Sequence, residues 1–259
     1  MTTLLPAAVT AAHPGWSSER IWENEAGGFT IRLTSPAGAV RYAKAQATAV
    51  WPPLSAEVAR LRWAGAHLPV PALVDSGEAN GVAWMVTEAA DGEPAIAPAL
   101  LAEPEVLVST LAEGLRRFHA APARRCPFRF EAEAALAHVE DRVAAGLIEP
   151  RHLHDEHAHL SAEQALAQLQ RERPERESLV VCHGDYCLPN ALIRDGRVAT
   201  FLDLGELGVA DRWWDLAAAT WSVTWNLGPG FEDAFLEAYG APRDDRKLRW
   251  YRLLYDLAS

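Results

Sequence analysis

Hydrophobic residues in the first third of the chain mostly follow the period of two that is typical of β-strands. Polar and apolar positions alternate over 29–33, and similar runs cover 40–45 and 84–88, with glycine- or proline-containing turns between them. Farther along, apolar residues recur every three or four positions, as on one face of a helix. The predicted helices cover part of 1–20, 54–66, 105–120, 131–146, 161–172, 211–223, 231–239 and 244 to the C-terminus.

This order of elements predicts an α+β class, and the shift to alanine- and leucine-rich sequence after the run at 84–88 places a lobe boundary near residues 89–93. The first lobe, over 1–90, is expected to be an antiparallel sheet with one main helix at 54–66. The second lobe, over 91–259, is expected to be larger and mostly helical. Residues 1–20 are predicted to form a short helix followed by a loop.

The stretch 180–205, with the sequence VVCHGDYCLPNALIRDGRVATFLDLG, carries three polar side chains at predicted strand ends. A short apolar strand leads into His-Gly-Asp, which stops on Asp185, and Asn190 follows directly after a proline. An Asp-Gly turn then joins two β-type runs into a hairpin whose second strand ends on Asp203. Folding of this hairpin is expected to bring Asp203 beside Asn190 and Asp185.

Two carboxylates and one carboxamide supply the oxygen ligands that Mg²⁺ prefers. The spacing D-x4-N followed by D-x-G is that of the phosphoryl-transfer site in protein-kinase-like enzymes. There an Asp accepts the proton of the attacking hydroxyl, while an Asn and a second Asp hold metal against the nucleotide phosphates. The alternative is an ordinary hairpin in which Asp and Asn serve as turn residues.

The segment HGDYCLPN, followed by FLDLGELGVADRWWDLA, resembles the aminoglycoside phosphotransferases, especially the 3′-phosphotransferases that act on kanamycin and neomycin. The resemblance extends from about Trp22 to Asp256. It implies a protein-kinase-like two-lobed fold that uses ATP or GTP together with Mg²⁺. It also implies that Asp185 is the catalytic residue and that Asn190 and Asp203 hold the metal.

For the nucleotide, the resemblance assigns an ion pair between Lys44 on a strand and Glu57 on the following helix, which positions the phosphates. The remaining nucleotide contacts that it implies are a glycine turn and the backbone or side chains of a strand before the lobe boundary: Gly27, Gly28, Val86, Thr87 and Ala89. The turn sequence ENEAGGF is not a G-x-G-x-x-G motif, so taken alone it is a weak signal for phosphate binding.

For the acceptor substrate, the resemblance implies acidic side chains that bind amines, and it points to these positions: Asp155, Glu156, Glu206, Trp221, Tyr255 and Asp256. Several depart from the family pattern. Glu206 and Trp221 stand where arginine is common, Tyr255 replaces an acid, and the terminal phenylalanine is missing. A further residue, Asp215, is expected to brace the catalytic loop through backbone N–H groups.

These departures leave the substrate open between an aminoglycoside 3′-hydroxyl and a less cationic antibiotic, such as a nucleoside antibiotic of the capuramycin type. A kinase of the same fold that acts on choline or homoserine is a third hypothesis. From other classes, a silent nucleotide-binding module and a zinc site in the histidine-rich segment 151–159 are the alternatives.

The composition limits the kinds of molecule that the protein is expected to bind. The 259 residues carry a formal net charge of −11, which argues against nucleic acid and suits a cationic substrate. No apolar run reaches the length of a membrane span, and the N-terminus lacks the basic start of a signal peptide, so a cytoplasmic location without a membrane partner is expected. The oligomeric state stays open between a monomer and a homodimer. The three cysteines lack CxxC spacing and fit reduced thiols.

Overall fold

A computed structural model describes residues 6–23, 27–50, 52–149 and 153–258. It divides the chain into two compact units. The first comprises Met1–Gly92 together with Ala199–Gly205, and the second comprises Glu93–Val198 and Glu206–Ser259. The segment Ala199–Gly205 therefore groups with the N-terminal residues, although a single boundary near residue 90 would assign it to the other lobe.

Five described strands of the first unit form an antiparallel sheet of order β1-β2-β3-β5-β4. Their bounds are β1 Ser17–Glu23, β2 Phe29–Thr34, β3 Val40–Ala47, β4 Leu73–Ala79 and β5 Val82–Glu88. The helices of this unit are α1, Ala7–Ala12, and α2, Leu54–Ala64. One face of the sheet buries a cluster that includes Val9 of α1, Phe29 and Trp84. Burial of these apolar side chains gives this unit its own core.

One expectation for this unit is wrong. Residues 17–20 were predicted as loop, but they begin β1, which pairs with β2. The side chains of β1 are exposed along its whole length, so the strand has no buried face and its sequence lacks the alternation that predicts a strand.

The second unit is mainly helical. Its helices are α3 Pro98–Leu101, α4 Pro104–His119, α5 Ala132–Ala144, α6 Ala162–Glu172, α7 Trp213–Leu227, α8 Glu232–Tyr239 and α9 Asp245–Ala258. Its short strands are β6 Glu93–Pro94, β7 Leu179–Cys182, β8 Ala191–Arg194, β9 Arg197–Phe201, which runs on into the first unit, and β10 Gly208–Asp211. β7 pairs antiparallel with β10, and the other three form a sheet of order β6-β8-β9.

The predicted start of α7 is also wrong. Asp211 was expected inside the helix, but it is the last residue of β10, and its carboxylate accepts a hydrogen bond from the N–H of Trp213 at 3.0 Å. The apolar residues before it belong to a buried four-residue strand, which periodicity cannot distinguish from a helix segment.

No helix in the described ranges combines the length and apolar character needed to cross a membrane. The predicted α+β class, with an antiparallel sheet followed by a mostly helical part, is confirmed.

Candidate active site

The loop after β7 is fixed by a buried carboxylate. Asp215, in the first turn of α7, is 0% exposed and accepts hydrogen bonds from the backbone N–H groups of His183 at 2.6 Å and Gly184 at 2.8 Å. Nε2 of His119 lies 2.9 Å from the same carboxylate. The indole of Trp214 donates to the carbonyl oxygen of Gly184 at 2.6 Å. The predicted role of Asp215 as a brace of this loop is therefore confirmed.

Asp185 ends this loop, and both of its carboxylate oxygens accept hydrogen bonds. The side-chain amide of Asn190 donates to Oδ2 at 2.9 Å and to the Asp185 carbonyl at 3.0 Å. The hydroxyl of Tyr255 donates to Oδ1 at 2.8 Å. Burial, followed by the charge of Asp185, raises the pKa of Tyr255 well above its ordinary value, so the phenol stays protonated and remains a donor. The hydroxyl of Tyr255 therefore orients the carboxylate of Asp185, and contact of Tyr255 with substrate stays a prediction.

Gly184 permits a close approach that other residues do not. Its φ is +93°, and a Cβ at this position would lie 2.3 Å from Cβ of Glu206 and 2.6 Å from the Glu206 carbonyl oxygen. Glu206 therefore packs against the backbone of the catalytic loop at Gly184. Its predicted contact with the substrate stays a prediction.

Substitution of Gly184 by alanine is expected to lower the free energy of unfolding by about 2–4 kcal/mol and to displace Asp185, because it adds a steric clash to an unfavourable φ. Denaturant unfolding and initial rates would measure both effects. The matched control is Gly146→Ala, since Gly146 also has a positive φ of +66° but nothing within 4 Å of its added Cβ. Equal effects of the two substitutions would contradict the close-contact explanation.

The predicted acidic substrate ligands have different surroundings. Asp155 is exposed. Glu156 accepts a hydrogen bond from the indole of Trp221 at 3.2 Å and lies 3.8 Å from the guanidinium of Arg252. The side chain of Asp256 is 0% exposed and accepts hydrogen bonds from Nδ1 of His154 and, at 2.6 Å, Nδ1 of His157. The assignment of Asp256 as a direct ligand for substrate amines is therefore corrected, because its carboxylate is buried on two imidazoles.

One residue near these groups was missed from the sequence. Trp225 lies one helical turn after Trp221 on α7, and the two indoles stack with their centroids 5.4 Å apart. The W-x3-W spacing places both rings on one helix face and could have indicated this pair.

In the first unit, Lys44 of β3 contacts two carboxylates. Its Nζ lies 2.9 Å from Oε1 of Glu57, on α2, and 2.5 Å from Oδ1 of Asp203. The predicted ion pair between Lys44 and Glu57 is present. Burial by itself would lower the pKa of Lys44, but the charges of Glu57 and Asp203 outweigh it and raise that pKa, so the amine stays positively charged.

Asp203 has the left-handed backbone conformation that non-glycine residues rarely adopt, with φ of 55°. Its segment is attached to the first unit by a hydrogen bond from the N–H of Phe201 to the carbonyl of Pro69 at 3.0 Å. Asp185 and Asn190 belong to the second unit. That Asp203 lies beside them stays a prediction.

Asp203 and Asn190 each carry an oxygen of the kind that binds a magnesium ion. The side chain of Asp203 is 52% exposed, with one of its oxygens on Lys44. The amide nitrogen of Asn190 is directed to Asp185, so its carboxamide oxygen is the atom suited to ligate a cation. A carboxylate and a carboxamide oxygen are hard ligands of the kind that Mg²⁺ takes, usually with several waters.

Of the residues predicted to contact the nucleotide, Val86 and Thr87 are on β5, Ala89 directly follows β5, and Gly27 and Gly28 directly precede β2. Val86 is fully buried in the core cluster, and Thr87 is paired with both neighbouring strands. The N–H of Ala89 donates to the carbonyl of Val40 at 3.2 Å, so a purine contact at Ala89 would have to use its carbonyl oxygen. Gly27 has φ of +82° and Gly28 is buried, while residues 24–26 of the predicted glycine turn lie outside the described residues.

The zinc alternative is not supported by the histidine geometry. His154 and His157 both use Nδ1 to contact Asp256, and Arg151 and His152 lie outside the described residues. In the described part of the chain, the cluster with metal-ligand spacing is His119, Cys182 and Asp215. Asp215 is occupied by the loop N–H groups, and burial raises the pKa of the Cys182 thiol, which disfavours the thiolate that zinc requires.

Known proteins are similar to this chain in sequence and in fold. A family model described as phosphotransferase enzyme family matches residues 9–251. An aminoglycoside 3′-phosphotransferase of Streptomyces fradiae is 41% identical over 210 residues, which cover 78% of each chain. A second protein of that name, from Streptomyces ribosidificus, is 35% identical and covers 95% of this chain and 96% of its own.

Solved structures agree with these sequence relatives. The crystal structure of an aminoglycoside 3′-phosphotransferase of type VIII superposes with a TM-score of 0.86 at 33% identity, over 96% of both chains. An aminoglycoside phosphotransferase from Streptomyces rimosus, in complex with ADP and streptomycin, gives a TM-score of 0.79 at 29% identity, over 97% of this chain and 96% of that one.

Proposed function

This chain belongs to the phosphotransferase enzyme family, and we propose that it moves the γ-phosphoryl group of a Mg²⁺-bound nucleoside triphosphate to a hydroxyl group of an antibiotic. The first candidate for the acceptor is the 3′-hydroxyl of an aminoglycoside. The observation that carries the proposal is the carboxylate of Asp185, held by Asn190 and Tyr255 on a braced loop.

Asp185 is the proposed acceptor of the hydroxyl proton. A carboxylate oxygen has two lone pairs, so each oxygen of Asp185 can accept a further hydrogen bond beyond the one it has. An alcohol that donates to this carboxylate would have its oxygen directed at the γ-phosphorus. The proton moves to Asp185 as the new P–O bond forms, and the bond from the γ-phosphorus to the β,γ-bridging oxygen breaks to release the nucleoside diphosphate. Most of the rate enhancement in this chemistry comes from positioning and charge neutralisation.

The first unit is proposed to bind the nucleotide, with ATP as the first candidate and GTP as the second. The charge of Lys44, held in place by Glu57, suits the non-transferred phosphates. Asp203 and Asn190 would hold Mg²⁺, which neutralises phosphate charge when it is bound. The ADP in the Streptomyces rimosus structure supports an adenine nucleotide.

The aminoglycoside is proposed as the acceptor because the relatives at 41% and 35% identity carry the name aminoglycoside 3′-phosphotransferase. The acidic net charge of −11 and the exposed Asp155 suit a substrate that carries several ammonium groups. A cytoplasmic monomer or homodimer is proposed, without nucleic acid or membrane as partner.

A nucleoside antibiotic of the capuramycin type is the second candidate, because Tyr255 brings an aromatic ring to Asp185, Trp221 packs against that ring, and Asp256 is not available as an anionic ligand. A silent nucleotide-binding module is disfavoured by family membership and by the complete set of polar residues. A kinase for choline or homoserine would phosphorylate those metabolites and confer no resistance.

Transfer of radiolabelled γ-phosphate from ATP or GTP tests the proposal, with kanamycin, neomycin, a capuramycin-type nucleoside antibiotic, choline and homoserine as acceptors. Label on kanamycin or neomycin, and growth of an expressing bacterium on kanamycin, is the expected result. Label on the nucleoside antibiotic alone would select the second candidate, and label on none of the antibiotics would overturn the proposal.

Substitution of Lys44 by methionine is expected to lower kcat/KM for the nucleotide about 100-fold, because a fixed positive charge next to the phosphates is lost. Steady-state rates over a range of ATP concentration measure this effect. The control is Arg32→Met, which removes an exposed cation from β2 of the same sheet and should leave the rate unchanged. Equal kcat/KM in Lys44→Met and wild type would remove Lys44 from phosphate binding.

A further inference from the structure

Four rings of the second unit contact one another and form a ring cluster, defined as His154, Trp221, Trp225 and Tyr255. The imidazole of His154 stacks on Trp225 at a centroid distance of 4.7 Å and an interplanar angle of 9°. It also lies 4.4 Å from Trp221, which packs edge-on against Tyr255 at 6.3 Å. The residues come from three separate parts of the chain, so the cluster exists only in the folded unit.

Asp256 holds His154, one member of the ring cluster, by hydrogen bonds. This buried carboxylate accepts hydrogen bonds from Nδ1 and the backbone N–H of His154 and from Nδ1 of His157. Burial by itself would raise the pKa of Asp256, but the hydrogen bonds from the two imidazoles outweigh it, so the pKa is lowered and the carboxylate stays ionised. Asp256 therefore orients the imidazole of His154, and Trp225 stacks on that imidazole.

One end of the cluster reaches the proposed catalytic group. The hydroxyl of Tyr255 donates to Oδ1 of Asp185 at 2.8 Å. A molecule whose hydroxyl donates to Asp185 therefore has the ring cluster beside it.

The other end of the cluster is open to solvent. Trp225 is 54% exposed, whereas Trp221 is 6% exposed. An exposed tryptophan that also stacks on neighbouring rings presents a large oriented apolar face, and tryptophan is enriched at binding surfaces.

We propose that the ring cluster is an acceptor subsite in which the exposed face of Trp225 stacks against a sugar ring that carries ammonium groups. The inference rests on the proposed function and adds a recognition element that a purely acidic pocket lacks. The C–H face of a sugar ring is apolar and matches an indole in size, and a nearby ammonium group is attracted to the indole face. The exposed part of Glu156, which contacts Trp221, can pair with a second ammonium group.

The decisive measurement is steady-state kinetics with an aminoglycoside that the wild type phosphorylates. Trp225→Ala is expected to raise KM for the aminoglycoside about tenfold, with kcat and KM for ATP within about twofold of wild type. Trp225→Phe keeps an aromatic face and should recover most of the affinity. Trp225→Gln, which removes the ring without leaving a large void, should behave like the alanine variant.

Trp22→Ala is the matched control, because Trp22 is 55% exposed, is on β1 of the first unit, and should leave KM for the aminoglycoside unchanged. Quenching of tryptophan fluorescence by the aminoglycoside, measured without nucleotide, provides a readout that does not depend on turnover. The wild type and Trp22→Ala should show quenching with the same dissociation constant, and Trp225→Phe should bind almost as tightly. Trp225→Ala should need about ten times more ligand.

The possible failures are distinguishable. A wild type that phosphorylates the aminoglycoside, with a Trp225→Ala variant of unchanged KM and unchanged binding, overturns the subsite and leaves the proposed function intact. A wild type that neither binds nor phosphorylates any aminoglycoside overturns the subsite and the first candidate acceptor, and a wild type that phosphorylates none of the antibiotics overturns the proposed function as well. A KM rise in Trp225→Ala that appears only with the nucleoside antibiotic overturns the sugar-ring assignment, because a planar base is then the group that stacks.

Discussion

Replacement of Asp185 by asparagine is expected to lower kcat by about 1,000-fold while KM for the nucleotide changes by about threefold or less. Asparagine is nearly the same size as aspartate but accepts no proton from the attacking hydroxyl. It also presents an amide to Asn190 or Tyr255, both of which donate to Asp185 in the native enzyme. Initial rates at saturating ATP and acceptor measure the loss, and a nucleotide titration checks that the first unit still binds.

The control for this substitution is Asp195→Asn. Asp195 is an exposed hairpin residue with φ of 53°, a conformation that asparagine tolerates well. The Asp195→Asn variant should retain full activity. Turnover of Asp185→Asn within about tenfold of wild type would show that the acceptor hydroxyl loses its proton elsewhere, and Asp185 would then have only a positioning role.

Replacement of Asp215 by alanine is expected to have the largest effect on stability. It leaves the N–H groups of His183 and Gly184, and the ring of His119, without their shared buried acceptor. Each unsatisfied buried donor costs about 1–3 kcal/mol, so the free energy of unfolding should fall by about 3–5 kcal/mol. Activity should fall as well, because Asp185 follows directly after this loop.

Urea unfolding of the wild type and of Asp215→Ala measures the difference in free energy. Asp155→Ala is the matched control, since it removes an exposed aspartate and should change the unfolding free energy by less than about 0.5 kcal/mol. Asp215→Asn keeps one acceptor oxygen, so its free energy of unfolding should lie between those of Asp215→Ala and Asp155→Ala. If Asp215→Ala unfolded at the same urea concentration as the wild type, the result would show that water replaces the lost acceptor.

Local patterns in the sequence were sufficient to predict most of the secondary structure. The alternating run in β2 and the apolar spacing of α2, α4 and α6 were recognisable because each element buries one face of its own residues. The Asp-Gly hairpin after Asn190 has the same local origin. The start of β1 and the whole of β10 were missed because β1 has no buried face and β10 is buried on both faces.

For the site, the sequence determined which groups carry charge and oxygen ligands and in what order along the chain: Lys44, Glu57, Asp185, Asn190 and Asp203. Only the tertiary structure decided what surrounds several of the others. Tyr255 contacts Asp185, Asp256 holds two histidines, and Trp225 extends the ring cluster to solvent. These contacts join residues far apart in the chain, and their partners depend on how helices pack. A periodicity of two or 3.6 positions gives the direction of a side chain from its own element but not the group that it meets there.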